Sequence, residues 1–384
     1  MPLGGFLVNR RTQRRYRLDG CRRSRIQPLL KLARPFLSLV SRQQVPNTVD
    51  LRSFFPPIEE QFSSGSCVGN ALASILEYFY FSTTGHGKKF SRLFIYYNAR
   101  MLEDEVSQRH ATASDSGADL QFAIVSLIEL GCCEDQYWPF YEHLINVRPQ
   151  EQAYANSRYY RLDKFRGLSN NVNQLRQCLA EGYPFVMAIK IFPSFASNHH
   201  GYIPMPKRHE KPSQYRHAVV CVGYIHSARV FIIRNSHGIH WGDRGYGYLP
   251  YEYITDKVLT KDLWAIESMK SLMSLPIDPH LAWSDSKSLM KSFSQHDMAD
   301  DRSNWDIQYS SDDDGEEEEE EEWEEREHSA SPALNPIPFV QPSVPTNFSP
   351  VYPPSSVVFT NPSFITPLPY HPSMFHSPSF YRPF

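Results

Sequence analysis

No uninterrupted apolar run in the 384 residues approaches the ~20 that a membrane-spanning helix needs. No membrane span is expected. The N-terminus also lacks the apolar core of a secretory signal, because the best candidate, residues 37–40, is short and follows Arg34. Cysteine is scarce: Cys21, Cys67, Cys132, Cys133, Cys178 and Cys221 leave an odd five once one is set aside for chemistry, which argues against a full disulfide framework and for a reducing, intracellular setting. Acidic residues are almost missing from residues 1–42, where eleven Arg/Lys face the single Asp19. Such a composition also occurs in organellar transit peptides, a pattern common by chance. Charge of either sign is nearly absent from residues 332–384, which hold fourteen prolines and only Arg382.

What is present divides the chain into four parts. Residues 1–44 form a basic arm expected to be disordered, and 45–275 a mixed α/β body, the only part with a foldable pattern. Residues 276–330 form a polar linker carrying an acidic run, with thirteen Asp/Glu against Arg326 between 312 and 327. Residues 331–384 form a Pro-rich tail that neither sustains a helix nor supplies a sheet interior, and that is expected to be disordered. Its irregular Pro-Ser-aromatic units suit recruitment of a protein partner. The arm suits an auxiliary electrostatic role, with nucleic acid as a secondary partner only, since nothing in the body resembles a base-reading module.

Within the body, Val68, Ala71, Leu72, Ile75, Leu76 and Phe79 recur at helical spacing behind Gly65-Ser66, so Cys67 is expected to open a buried helix. Helices are expected over 120–130 and over Val172–Ala180, then strands over 185–191, 217–224 and Val230–Arg234. The body is helix-rich first and strand-rich second. A thiol attacks a carbonyl as thiolate, and a helix N-terminus favours that charge. By itself Cys67 is more often a small buried hydrophobe. Three further residues change the balance: Gln61, six before it, is suited to hold an oxyanion; His217 opens a strand and is suited as base; Asn235 follows the next strand and is suited to orient an imidazole.

Together, IEEQFSSGSC, HAVVCVGY and FIIRNSHGIHWGDRGYGYLP resemble the papain family of cysteine peptidases, over roughly residues 46–256 from PNTVDLR onward. The resemblance implies an α+β, two-lobed fold, a helical lobe followed by a β-rich barrel-like lobe. It implies hydrolysis of protein or peptide substrates with Cys67 as nucleophile, His217 as base, Asn235 as its orienting partner and Gln61 in the oxyanion hole. No cofactor or metal is implied. Asp115, Ser116 and Gly117 fall on the glycine-containing wall of the substrate cleft, and Trp241 on the second tryptophan of the motif. The segments DSGADLQFAIVSLIELG and YWPF are closer to compact bacterial and large-DNA-virus members, iridovirus-like ones among them, so a cytoplasmic or virion-associated protein is expected.

Departures accompany the matches. Ser64 stands where the family has a disulfide cysteine, Val68 where a tryptophan follows the nucleophile, and His237 where a tryptophan shields the His-Asn pair. His237 is expected to make that pair wetter. The rival reading is a catalytically inactive papain-like structural or binding protein. Cys132-Cys133 lack the spacing of zinc ligands and read as structural.

Overall fold

The computed structural model describes residues 6–8, 15–18, 20–23, 34–36, 45–107, 110–196, 200–210, 212 and 216–271. Short strands come first: β1 (Phe6–Val8), β2 (Arg15–Arg17), β3 (Cys21–Arg22), β4 (Arg34–Pro35) and β5 (Thr48–Asp50). The helical lobe follows, with α1 (Cys67–Thr84), α2 (Arg92–Ser107), the two-residue β6 (Ala118–Asp119), α3 (Leu120–Glu129) and α4 (Glu151–Ser157). The strand-rich part holds β7 (Tyr160–Gly167), α5 (Val172–Ala180), β8 (Phe185–Lys190), α6 (Pro193–Ala196), β9 (Arg216–Ile225), β10 (Val230–Arg234), β11 (Tyr246–Pro250), α7 (Tyr251–Thr255) and β12 (Thr260–Ser271).

The expected helix behind Cys67 is α1, whose first twelve residues are all buried and which stops at Gly85 in a left-handed conformation, φ 71°. It runs through the core against β9. An Arg92–Ser107 helix did not stand out from the sequence because Asn98, Arg100 and Glu103 lie on its buried side, where a polar residue breaks the apolar stripe that periodicity relies on. The turn before α3 is capped by Asp119, which accepts from the Gln121 and Phe122 amides. Residues 115–117 are therefore free for another job.

Strands β8 and β10 are buried at every residue, and β9 at all but its last, which explains the apolar runs 185–189, 218–222 and 230–233. They belong to a ten-stranded sheet that curls into half a barrel, seven strands in the order β11-β10-β9-β8-β12-β7-β4 with β3 and β5 joined off that path to β9 and β6 to β3. His217 pairs with Ile189 in this sheet, and Arg234, the last residue of β10, pairs with Val220. Adjacent strands thereby carry His217 and Asn235 to the same end of the sheet.

The basic arm departs from its expected disorder wherever it is described. Strand β3 pairs in parallel with β6 through Cys21–Ala118 and antiparallel with β9 through Cys21–Arg216. Tyr16, Cys21, Arg22 and Phe36 are buried. Composition weighs the arginines of this segment, but a few apolar residues on two available strand edges suffice to hold it. The linker and the tail lie outside the described residues.

Candidate active site

Cys67 is the first residue of α1, with a fully buried side chain. Ser66 precedes it but does not cap the helix through its side chain. Its hydroxyl instead meets Ser64 Oγ at 2.6 Å and accepts from Asn70 Nδ2 at 3.0 Å. Ser64 also donates to the Gln61 carbonyl at 2.6 Å, so at the position of the family's disulfide cysteine hydrogen bonds brace the turn that leads to Cys67. All six cysteines are free thiols. Burial pushes Cys21, Cys132, Cys133, Cys178 and Cys221 well up, holding them protonated and poorly nucleophilic.

His217 Nε2 and Asn235 Oδ1 are 2.7 Å apart, both side chains being buried. Which way the Asn235 amide points follows from its other contacts. Oδ1 also accepts the Ser236 N–H at 2.8 Å, and Nδ2 lies 3.0 Å from His237 Nδ1. His237 is held well below its ordinary pKa by burial, with the neighbouring His217 adding to the effect and the Arg17 backbone opposing it. The ring is neutral, so Nδ1 accepts from Nδ2. The His217 N–H at Nε2 then donates to Oδ1, which leaves Nδ1 of His217 with its lone pair.

His237 is not a wet replacement for tryptophan. It is 1% exposed, its ring centroid lies 4.8 Å from that of His217 and 5.3 Å from that of Tyr16, and Trp241 meets it edge-on at 6.2 Å. Aromatic rings exclude the water that its polar atoms would attract. Trp241 is itself stacked on Phe195, 5.2 Å between centroids.

Gln61 is fully buried and joins the two lobes. Its N–H donates to the Ser236 carbonyl at 2.9 Å, its Oε1 accepts from Ser236 Oγ at 2.5 Å, and its Nε2 donates to Ser64 O at 2.9 Å and to Arg17 O at 3.1 Å. Asp115 accepts from the Gly65 amide with both carboxylate oxygens and from Tyr96 O–H at 2.5 Å. Tyr96 O–H in turn accepts from the Gly117 amide at 2.9 Å. This chain of bonds ties residues 115–117 to the turn before Cys67. Ser116 Oγ donates to the Ala111 carbonyl at 2.9 Å, away from that chain.

Behind Asn235 lies a cavity of about 20 Å³, room for about one water, lined by Asn70, Ser74, Glu77, Arg92, Arg234 and Asn235 among others. Burial raises the Glu77 carboxyl to about 7, against the lowering effect of the Phe90 N–H it accepts. Glu77 and Tyr16 had no motif to announce them, and Ser236 lay inside the segment quoted around Asn235 with no role assigned to it. The only signal for the arm segment was Gly20, the single glycine between Gly5 and Gly65.

Among the described residues no group of three or more His, Cys, Asp or Glu could hold a metal, and no helix is long and apolar enough to cross a membrane.

Residues 45–259 match the family model for papain family cysteine protease. An uncharacterised peptidase C1-like protein of Acanthamoeba polyphaga mimivirus is 32% identical over 235 residues, 58% of this chain and 73% of that one. Peptidase 1 of Dermatophagoides pteronyssinus is 32% identical over 106 residues, 26% of this chain and 31% of the mite protein. Among solved structures, xylellain, a cysteine protease from Xylella fastidiosa, superposes with a TM-score of 0.58 at 29% identity, covering 69% of this chain and 99% of xylellain. With the helix-borne cysteine, the histidine–asparagine pair and a family match over more than half its length, the chain belongs to the papain family and is a cysteine-type peptidase.

Proposed function

We propose that the chain hydrolyses peptide bonds of protein or peptide substrates through a thioester on Cys67. The observation that carries the reading is the 2.7 Å contact of His217 Nε2 with Asn235 Oδ1, which turns the other ring nitrogen into a proton acceptor at the edge of the lobe that α1 faces. In this mechanism His217 takes the Cys67 proton and the sulfur adds to the substrate carbonyl. The oxyanion so formed is held by Gln61 Nε2 and the Cys67 backbone N–H. Collapse breaks the C–N bond while His217 returns the proton to the leaving amine. Water, deprotonated by His217, then adds to the thioester carbonyl, and Cys67 leaves as thiolate. Asn235 holds the imidazole in one tautomer throughout.

Asp115, Ser116, Gly117 and Trp241 are proposed as walls of the substrate cleft, Asp115 through its hold on the Gly65 turn and Trp241 through the ring cluster around His237. We assign residues 45–275 as the peptidase domain, with the segments on either side as regulatory or recruiting parts. Six free cysteines and a mimivirus relative support an intracellular or virion-associated setting. Turnover of an unlabelled protein substrate by the wild-type chain, and its loss in Cys67→Ala, tests this reading against an inactive binding protein; equal turnover by both chains would end it.

A further inference from the structure

We propose that Arg92 is a positioning residue for the reaction, its guanidinium closing a ring of hydrogen bonds that holds both oxyanion donors in place. The proposal rests on the reading of Gln61 Nε2 and the Cys67 backbone N–H as those donors. Three observations support it.

The first is the reach of one nitrogen. Arg92 Nη1 donates to the Glu60 carbonyl at 3.1 Å and to Asn70 Oδ1 at 3.0 Å. Glu60 immediately precedes Gln61, and Asn70 lies in the first turn of α1, so one guanidinium grips the chain on both sides of the turn between the two donors. The second is that the bonds close on themselves. With Oδ1 turned to Arg92, Asn70 Nδ2 donates to Ser66 O at 2.9 Å and to Ser66 Oγ at 3.0 Å. Ser66 Oγ meets Ser64 Oγ at 2.6 Å, and Ser64 Oγ donates to the Gln61 carbonyl at 2.6 Å. Because Ser64 spends its proton on Gln61, Ser66 is the donor to Ser64. Every proton from Arg92 through Asn70, Ser66 and Ser64 to Gln61 is thus given in one direction, an arrangement in which each bond strengthens the next.

The third is how Arg92 is brought there. A Cβ on Gly69 would stand 2.4 Å from Arg92 O and 3.2 Å from Tyr96 Cβ. Glycine weakens a helix, but at the third residue of α1 it lets the start of α2 lie against the turn that carries Cys67. The Arg92 side chain is only 12% exposed and is held from its other sides, with Glu59 Oε2 3.4 Å from Nη2 and the Phe140 ring centroid 4.1 Å from the guanidinium carbon. A fork of donors fixed in this way sets two acceptors at one spacing, which a lysine ammonium cannot do.

If the ring positions the oxyanion donors, its loss slows steps that build charge on oxygen and spares the thiolate itself. The test uses full-length chains and reads kcat and KM on a peptide substrate beside the second-order rate at which Cys67 exchanges with a dipyridyl disulfide, a reaction that places no charge on oxygen. In Arg92→Gln, kcat is expected to fall roughly 10- to 100-fold with KM little changed, while the exchange rate stays within about twofold of wild type. Asn70→Ala is expected to show the same split, and the double variant to lose less than the product of the two single losses. Arg92→Lys keeps the charge without the fork and is expected to remain well below wild type. Wild-type kcat in a folded Arg92→Gln chain, an exchange rate that falls in step with kcat, or full activity in Arg92→Lys would each overturn the positioning role. Should Arg92→Gln fold poorly, wild-type kcat in Asn70→Ala overturns it as well. A wild-type chain that forms no Cys67 adduct with an epoxide that traps cysteine-peptidase thiolates would overturn the reading of the site, and the role of Arg92 with it.

Discussion

Asn235 donates through Nδ2 to His237 Nδ1 at 3.0 Å while its Oδ1 faces His217 Nε2 at 2.7 Å. The two contacts fix opposite ends of one amide. A neutral histidine thus does what an indole cannot, accepting the second hydrogen bond of the orienting residue. His237→Phe keeps the flat ring but leaves Nδ2 unpaired in a buried site, a loss of about 1–1.5 kcal/mol, so kcat/KM is expected to fall roughly tenfold. The pH profile of the variant and its circular dichroism separate this from misfolding. Wild-type kcat/KM in a folded His237→Phe chain would show that the Nδ1 contact is idle.

Removal of the reacting groups separates their roles. Cys67→Ala and His217→Ala are each expected to lower kcat on the order of 10⁵-fold, because nucleophile and base act as a unit. Asn235→Ala removes one hydrogen bond to a ring that becomes charged, about 1.5–3 kcal/mol, and so leaves roughly 1–10% of the rate. Steady-state kinetics on a peptide substrate checks the order. An Asn235→Ala chain as dead as Cys67→Ala would mean that the asparagine does more than orient.

Gln61 has a donor and an acceptor end with different partners. Gln61→Glu keeps the acceptor for Ser236 Oγ, which donates at 2.5 Å, and removes the amide donor while adding negative charge. A fall in kcat on the order of 10² to 10³ with KM little changed is expected of a lost oxyanion donor. A change confined to KM would place Gln61 in substrate binding instead.

The buried Glu77 carboxyl gives stability a pH dependence. Its folded pKa of about 7 lies above the ordinary 4.5, so the folded chain binds the extra proton between these values. Stability is therefore lost as pH rises from about 4.5 to about 7, a cost on the order of 3 kcal/mol above that range. Glu77→Gln keeps an acceptor for the Phe90 amide and never ionises. Its Tm is expected to exceed the wild-type value by roughly 6–12 °C at pH 8 and to match it at pH 5. The same difference at both pH values would assign the effect to packing.

Where sequence and structure agree, the reason is local. Cys67 at the head of α1 and the strands carrying His217 and leading to Asn235 follow from turn residues and apolar runs, and Val172–Ala180 and Val230–Arg234 are helix and strand with the bounds expected. What escaped the sequence depends on contacts far apart in the chain. The arginines around Tyr16 and Cys21 look like a solvated arm until Ala118, Arg216, Asp115 and Glu103, 81 to 195 residues away, supply the strand edges and carboxylates that hold them. His237 reads as a polar intrusion until the tilted Tyr16 ring is found 5.3 Å from it. Helix α2 was hidden because its buried face includes Asn98, Arg100 and Glu103, whose hydrogen bonds replace the apolar stripe.

The most direct measurement of the central claim is to alkylate the full-length chain with a limiting amount of the epoxide and map the modified residue by mass spectrometry. Five of the six thiols are pushed up in pKa by burial, so a single adduct on Cys67, abolished in Cys67→Ala and strongly slowed in His217→Ala, is the predicted result. An adduct on any other cysteine, or labelling of Cys67 at an undiminished rate without His217, would contradict the account.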